Sequence, residues 1–222
     1  MKIEILHRSS SFLVACKPRG ILSQPMPGDT NDMITLLSEQ IGKTVYPVHR
    51  LDRTTGGIMV FAMTQKAAAH LSRCISEGTL QKKYIAFVHG TPGETGEYED
   101  YLLHRASEGK TYAVRSSHSG AKRAELSFSS ERTSLWDNRS VSRVAVFPKT
   151  GRTHQIRVQF ASRGYPLLGD GKYGAKDTLR GAALFAVGLS FPNPETNEML
   201  HFERTAEADD FENKLKVGPN GV

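Results

Sequence analysis

Nine consecutive residues, His49-Arg50-Leu51-Asp52-Arg53-Thr54-Thr55-Gly56-Gly57, set one carboxylate between arginines just ahead of the apolar run Ile58-Met59-Val60-Phe61-Ala62-Met63. An unbroken apolar run of that length suits a strand in the middle of a sheet, which puts Asp52 in the preceding loop, at the sheet's edge. Catalytic side chains concentrate on loops held by a rigid scaffold, and a carboxylate there can serve as nucleophile or base. Aspartate beside arginine is also a common surface ion pair and Thr-Gly-Gly a common turn, so the segment gains meaning only from the rest of the chain.

Rival chemistries lack their partners. Gly42-Lys43-Thr44 and Gly109-Lys110-Thr111 look like the end of a phosphate-binding loop, but the glycine required five residues upstream is Leu37 in one and His104 in the other. His49-Arg50-Leu51-Asp52 has the opening of a kinase catalytic loop without its spacing, and no Asp-Phe-Gly follows. Glycoside hydrolysis needs a second carboxylate near Asp52, and none stands in a motif-like segment. Cys16 and Cys74 form neither a CxxC pair nor part of a His/Cys cluster, so no disulfide or structural zinc is expected and both read as buried thiols.

The chain has 222 residues, 38% hydrophobic and 23% charged, with a formal net charge of +6, which is ample for a real core. No apolar run approaches the roughly 18 residues of a membrane helix, and the first residues are charged rather than leader-like; a cytoplasmic protein with no membrane partner is expected. Ser142 to Lys176 carries seven Lys/Arg against one acid, Asp170, while Phe191 to Asn213 carries seven acids against one base, Arg204. A basic stripe beside an acidic one suits an oriented polyanion-binding face, with a solvated charged surface as the plainer alternative.

The elements that must position Asp52 follow from patterning. Strands are expected at 2–6 and 12–17, and a helix capped by Asn31 or Asp32 running to Ile41. After the Asp52 loop and its strand comes a helix capped by Thr64 and stopped by Gly78, then an alternating strand at 81–90 with Tyr84, Ala86 and Val88 on one face. Strands near 97–103, 111–117, 123–130 and 141–147 precede a helix from Thr153 to Arg163, in which His154 and Arg157 share a face. A strand pair at 182–190 and 199–205, a helix to Leu215 and a frayed tail over 216–222 complete the chain. Strands outnumber helices and rarely alternate with them, so the fold class is α+β, a mixed, mainly antiparallel sheet flanked by helices.

Four segments in order resemble the RluA-type branch of the pseudouridine synthase family: Lys17-Pro18-Arg19-Gly20; His49 to Gly57; Lys83-Tyr84-Ile85-Ala86-Phe87-Val88-His89-Gly90; and Gly151-Arg152-Thr153-His154-Gln155-Ile156-Arg157, continuing through Gly164-Tyr165-Pro166-Leu167-Leu168-Gly169-Asp170 to Tyr173-Gly174. The resemblance spans about residues 3 to 215 and implies one catalytic domain, 1–215, with a central cleft in the pseudouridine synthase fold. It also implies isomerisation of uridine to pseudouridine in ribosomal or transfer RNA by a monomer that uses no metal, nucleotide or redox cofactor.

By that resemblance Asp52 is the catalytic aspartate, Tyr84 packs on the target base, and Arg157 pairs with the aspartate. Enclosing a carboxylate beneath a nucleotide opposes its charge, and an adjacent arginine sustains it. An aromatic face is worth about 1 to 3 kcal/mol to a stacked base, comparable with the cost of extruding one. Arg50 is placed to fill the gap left by the flipped base or to grip a flanking phosphate. Arg152, His154, Arg163 and Lys172 are further RNA contacts, and Lys17 either joins them or orients the loop.

Gly56, Gln159 and Phe185 stand where the family's motifs usually have Ser, His and His, which bears on substrate preference more than on activity. The first strand begins at residue 2, so no N-terminal RNA-binding extension is expected. A non-catalytic RNA-binding factor is the alternative class, disfavoured because binding alone gains nothing from a carboxylate facing phosphates.

Overall fold

The computed structural model describes residues 1–216. Eleven strands and four helices follow one another as β1 (Glu4–Arg8), β2 (Phe12–Lys17), α1 (Met33–Ile41), β3 (Tyr46–Pro47), β4 (Gly56–Ala62), α2 (Gln65–Ser76), β5 (Gln81–His89), β6 (Thr95–Arg105), β7 (Lys110–Val114), β8 (Lys122–Trp136), β9 (Arg139–Pro148), α3 (Gln155–Ala161), β10 (Leu184–Pro192), β11 (Met199–Glu203) and α4 (Ala206–Lys216). The class is α+β, as the strand-rich pattern indicates. The described residues divide into two compact units, Met1–Lys82 with Phe185–Glu207, and Lys83–Leu184 with 208–216. No helix among the described residues is long and apolar enough to cross a membrane.

In the first unit β2 lies antiparallel to both β1 and β4, and every residue of β2 and β4 is buried. The strand that follows Asp52 is therefore an interior strand, and side chains of both strands feed a core containing Phe12, Val14, Ile58, Val60, Leu71 and Phe191. Asp32, not Asn31, caps α1: its Oδ1 accepts from the amides of Ile34 at 2.8 Å and Thr35 at 3.1 Å. Thr64 Oγ1 accepts from Ala67 N at 3.1 Å to start α2. β10 runs parallel to β4 at only two pairs, Phe185 with Gly56 and Ala186 with Gly57. Gly57 has φ +115, and a Cβ there would fall 2.1 Å from the carbonyl oxygen of Ala186, so this pairing requires glycine.

In the second unit the strand order is β5-β9-β8-β6-β7, antiparallel throughout. β8 and β9 meet through a two-residue turn in which Asp137 and Asn138 both have positive φ, the conformation that twists a tight hairpin correctly. Helix α3 is shorter than the Thr153–Arg163 span predicted from its residues, and Thr153 does not cap it. The residue before it, His154, is left-handed at φ 55 with no side-chain cap. Gln155 ties the entry instead: its Oε1 accepts from Thr150 Oγ1 at 2.7 Å and Arg152 N at 3.0 Å, and its Nε2 donates to Glu125 O at 2.9 Å. α4 extends to Lys216, one residue into the expected tail, whose remainder, 217–222, lies outside the described residues.

Candidate active site

The Asp52 loop is fastened from both sides. Before it, Ser23 Oγ accepts from Leu51 N at 3.0 Å and donates to Leu51 O at 2.8 Å. After it, Arg53 O accepts from Gly20 N at 2.8 Å and from Lys17 Nζ at 3.2 Å, and Arg53 Nε donates to Gly20 O at 2.9 Å. The loop closes on itself through Thr55 N donating to Asp52 O at 3.0 Å. The backbone at Leu51 and Arg53 is thus set by bonds reaching back to residues 17–23, while Asp52 between them stays partly exposed and Arg50 is exposed. A carboxylate on so constrained a backbone is pre-organised.

Lys17, expected among the RNA contacts or as a loop anchor, is the anchor. It is 1% exposed, and its ammonium donates to Ile21 O at 2.6 Å and Pro18 O at 3.1 Å besides Arg53 O. An ammonium has three protons and all three are spent on carbonyls, so a phosphate contact would unmake the loop. Burial draws its pKa down to about 8 against the opposing pull of Asp52.

His49 has a role that sequence reasoning missed. Its Nε2 accepts from Val60 N at 3.3 Å, on the edge of β4 between the short pairings with β3 and β10. The imidazole satisfies a strand amide on the side of β4 away from β2, where neither β3 nor β10 pairs with Val60, and to accept there it must be neutral. Burial, aided by the charge of Lys82, holds its pKa at about 3.

In the second unit, Arg157 is 7% exposed and clasps Asp170 in a two-pronged pair, Nε to Oδ2 at 2.7 Å and one terminal nitrogen to Oδ1 at 2.8 Å. The Arg157 guanidinium lies 4.9 Å from the centre of the Tyr173 ring. Tyr173's hydroxyl oxygen accepts from Thr111 N at 2.8 Å and shares a hydrogen bond with His154 Nδ1, also at 2.8 Å. His154 and Arg157 therefore share a face, as their spacing predicts, and Tyr173 is what they share. Tyr84 is 8% exposed on β5, opposite Val146 of β9.

Asp170 and Tyr173 were not singled out as site residues. The signal was present: Asp170 is the one acid in a segment of seven cations, and an isolated acid among bases is a natural buried partner.

Other expected RNA contacts divide. Arg163 is engaged internally, with NH1 on Asp100 at 2.8 Å and its guanidinium 4.0 Å above the Tyr98 ring, because the Asp100 carboxylate and the Tyr98 face together outcompete solvent. His154 has one ring nitrogen committed to Tyr173. Arg152 and Lys172 are exposed, resting on the carbonyls of Arg123 and Gly109 at 2.9 Å each. Gln159, one of the departures from the family pattern, donates to Asp100 at 2.8 Å and fills a buried position without a titrating group.

A partly exposed carboxylate on a braced loop, with a braced arginine elsewhere in the chain, is the equipment of a general base or nucleophile. The comparison with known proteins names the class: this chain belongs to the RNA pseudouridylate synthase family, whose sequence pattern matches residues 11–162. Within it the chain is of the RluA type. It is 32% identical over 209 residues to the ribosomal large subunit pseudouridine synthase C of Buchnera aphidicola, covering 89% of this chain and 65% of that protein. It is also 32% identical to the dual-specificity RNA pseudouridine synthase RluA of Yersinia pestis, over 91% of this chain and 98% of that one. In solved structures, human RNA pseudouridylate synthase domain containing 1 shares the fold, with a TM-score of 0.78 over 98% of this chain and 96% of that one at 22% identity.

Proposed function

We propose that this protein converts uridine to pseudouridine in RNA, with Asp52 as the reacting carboxylate and with no cofactor taking part. The reaction breaks the bond from the sugar to a ring nitrogen, turns the uracil, and forms a bond from the same sugar carbon to a ring carbon, so no atoms are gained or lost. Asp52 acts on the sugar or the ring, Tyr84 offers its aromatic face to the base, and Arg157 sustains the charge of the carboxylate. The observation that carries this reading is the bracing of Leu51 by Ser23 and of Arg53 by Gly20 and Lys17, which restricts the backbone on both sides of one partly exposed carboxylate. A protein that only bound RNA would gain nothing from a pre-organised negative charge facing a polyanion.

Large-subunit ribosomal RNA and transfer RNA are the substrates to test. The purified protein is incubated with unmodified transcripts of each, and the digested nucleosides are separated by chromatography. Pseudouridine is expected in at least one RNA with the native chain and in neither with Asp52→Asn. Its absence from both RNAs with the native chain overturns the proposal and leaves an RNA-binding factor in its place.

A further inference from the structure

The loop that carries Asp170 is itself held by a buried acid that the proposed reaction does not use. The side chain of Asp177 is 2% exposed and is enclosed by N–H donors. Gly169 N donates to both of its oxygens at 3.0 Å, Leu179 N donates to Oδ1 at 3.0 Å, and His89 Nε2 lies 2.7 Å from Oδ2. A carboxylate only accepts, so the histidine nitrogen carries the proton between them.

Gly169 is the residue before Asp170. Its φ is +72 and a Cβ there would fall 2.5 Å from Gly181 O, so the chain passes this point in a conformation that has to be imposed on it. On the other side of Asp170, Tyr173 N and Ala175 N donate to Asp170 O at 2.9 and 3.2 Å. The fork of Arg157 fits the Asp170 carboxylate in one orientation, with Nε on Oδ2 and a terminal nitrogen on Oδ1. Where the backbone turns at 169 and 170 therefore decides how the guanidinium of Arg157 is held.

The other end of the brace is on β5, the strand that carries Tyr84. His89 N donates to Pro166 O at 3.0 Å, Val88 bridges Leu167, and Phe87 O accepts from Leu168 N at 2.9 Å. Among the described residues these backbone bonds from β5 end at Leu168, and the pairing of His89 with Asp177 carries the attachment on to Gly169. Burying a carboxylate costs free energy that backbone bonds do not. Closing the loop alone gains little from it, whereas a site that needs Arg157 held in one orientation gains a fixed support.

We infer that Asp177, braced by His89, is a positioning residue that sets the orientation of the Arg157 guanidinium through Gly169 and Asp170. The inference rests on the functional reading of Arg157, and a signal from the arginine itself separates the two. In nitrogen-edited NMR spectra the Arg157 Nε–H is assigned by its loss in Arg157→Lys. Asp177→Asn, which keeps the size of the side chain, is expected to move this resonance and to speed its exchange with water about tenfold in a chain that still melts cooperatively. His89→Ala leaves the bonds from Gly169 and Leu179 in place and should move the resonance the same way by less; it decides the matter if Asp177→Asn does not fold.

In any RNA the native chain modifies, Asp177→Asn should lower kcat by up to about a hundredfold, the cost of a small misplacement, with KM and RNA affinity unchanged. Adding His89→Ala to Asp177→Asn should cost no more than Asp177→Asn alone, since the histidine acts through that acid. Arg143→Met, whose ion-pair partners lie on β8 and α4, is the control for lost stability and should leave the Arg157 resonance and kcat in place.

An Arg157 resonance unmoved in both Asp177→Asn and His89→Ala overturns the inference whether or not the native chain is active. So does a loss of kcat in Asp177→Asn that Arg143→Met reproduces at the same melting temperature, which marks a purely structural role. If the resonance responds as expected and no RNA gains pseudouridine with the native chain, the functional reading falls and the positioning of Arg157 stands.

Discussion

Asp170 changes what a substitution at Arg157 reports. From sequence, Arg157→Met should lower turnover by orders of magnitude while the protein still folds. With Arg157 gone, however, Asp170 would be left at 2% exposure without the guanidinium that neutralises it. Removing one member of a buried pair costs about 3 to 5 kcal/mol, so Arg157→Met should lower stability by about that amount along with activity. Arg157→Met with Asp170→Asn should recover much of the stability and none of the activity; denaturant unfolding beside a turnover assay checks both. The loop that carries Asp52 was legible because its segment is continuous in the chain. Asp170 was not, because thirteen residues separate it from Arg157 and only the fold returns one to the other.

Strands and helices were legible to the extent that their own residues shape them. The apolar run of β4, the cap at Asp32 and the alternation of β5 are local facts, and most predicted elements match those observed to within a few residues, although β8 runs on to Trp136 and the short β3 was not expected. α3 departs because its start is decided by the side chain of Gln155 reaching Thr150 and Glu125, outside the reach of a capping rule. β4 yields two predictions. Gly57→Ala should cost several kcal/mol and disturb the pairing with β10, since even a methyl group collides with the Ala186 carbonyl; loss of amide protection at Ala186 in hydrogen exchange is the readout.

His49 makes β4 sensitive to acid. With a folded pKa near 3 against an ordinary 6.5, the unfolded state binds more protons between those values, so stability rises with pH across that window. The contribution is complete above about pH 6.5 and is lost as pH falls toward 3. His49→Gln, which keeps an acceptor for Val60 N but cannot titrate, should flatten the urea midpoint between pH 4 and 6.5.

At the scale of the whole molecule, charges that look segregated along the chain neutralise one another in space. Arg143, from the basic segment, donates to Glu131 at 2.7 Å, to Asp209 at 2.9 Å and to Glu212 at 3.1 Å, the last two from the acidic segment. Lys149 pairs with Glu97, Arg157 with Asp170 and Arg163 with Asp100, so four of the seven cations between Ser142 and Lys176 are already matched. The expected basic stripe is therefore much reduced, and RNA affinity should depend on fewer residues than the count implies. Arg152→Gln and Lys172→Gln should each lower the salt slope of binding by about one, while Arg163→Gln should lower thermal stability and leave the slope unchanged. Arg143→Met should destabilise by about 3 kcal/mol, since Glu212 is buried beside it.

The amino-acid sequence by itself determined the class of protein, the strand-rich architecture and the loop in which the proposed reacting carboxylate stands, because motifs and periodicity are written in neighbouring residues. Tertiary structure alone decided which cations remain available to RNA, which histidine stays neutral, and which acid holds Arg157. Charge and protonation depend on what lies within a few ångströms in space, and burial weights those distances in a way that sequence order does not record.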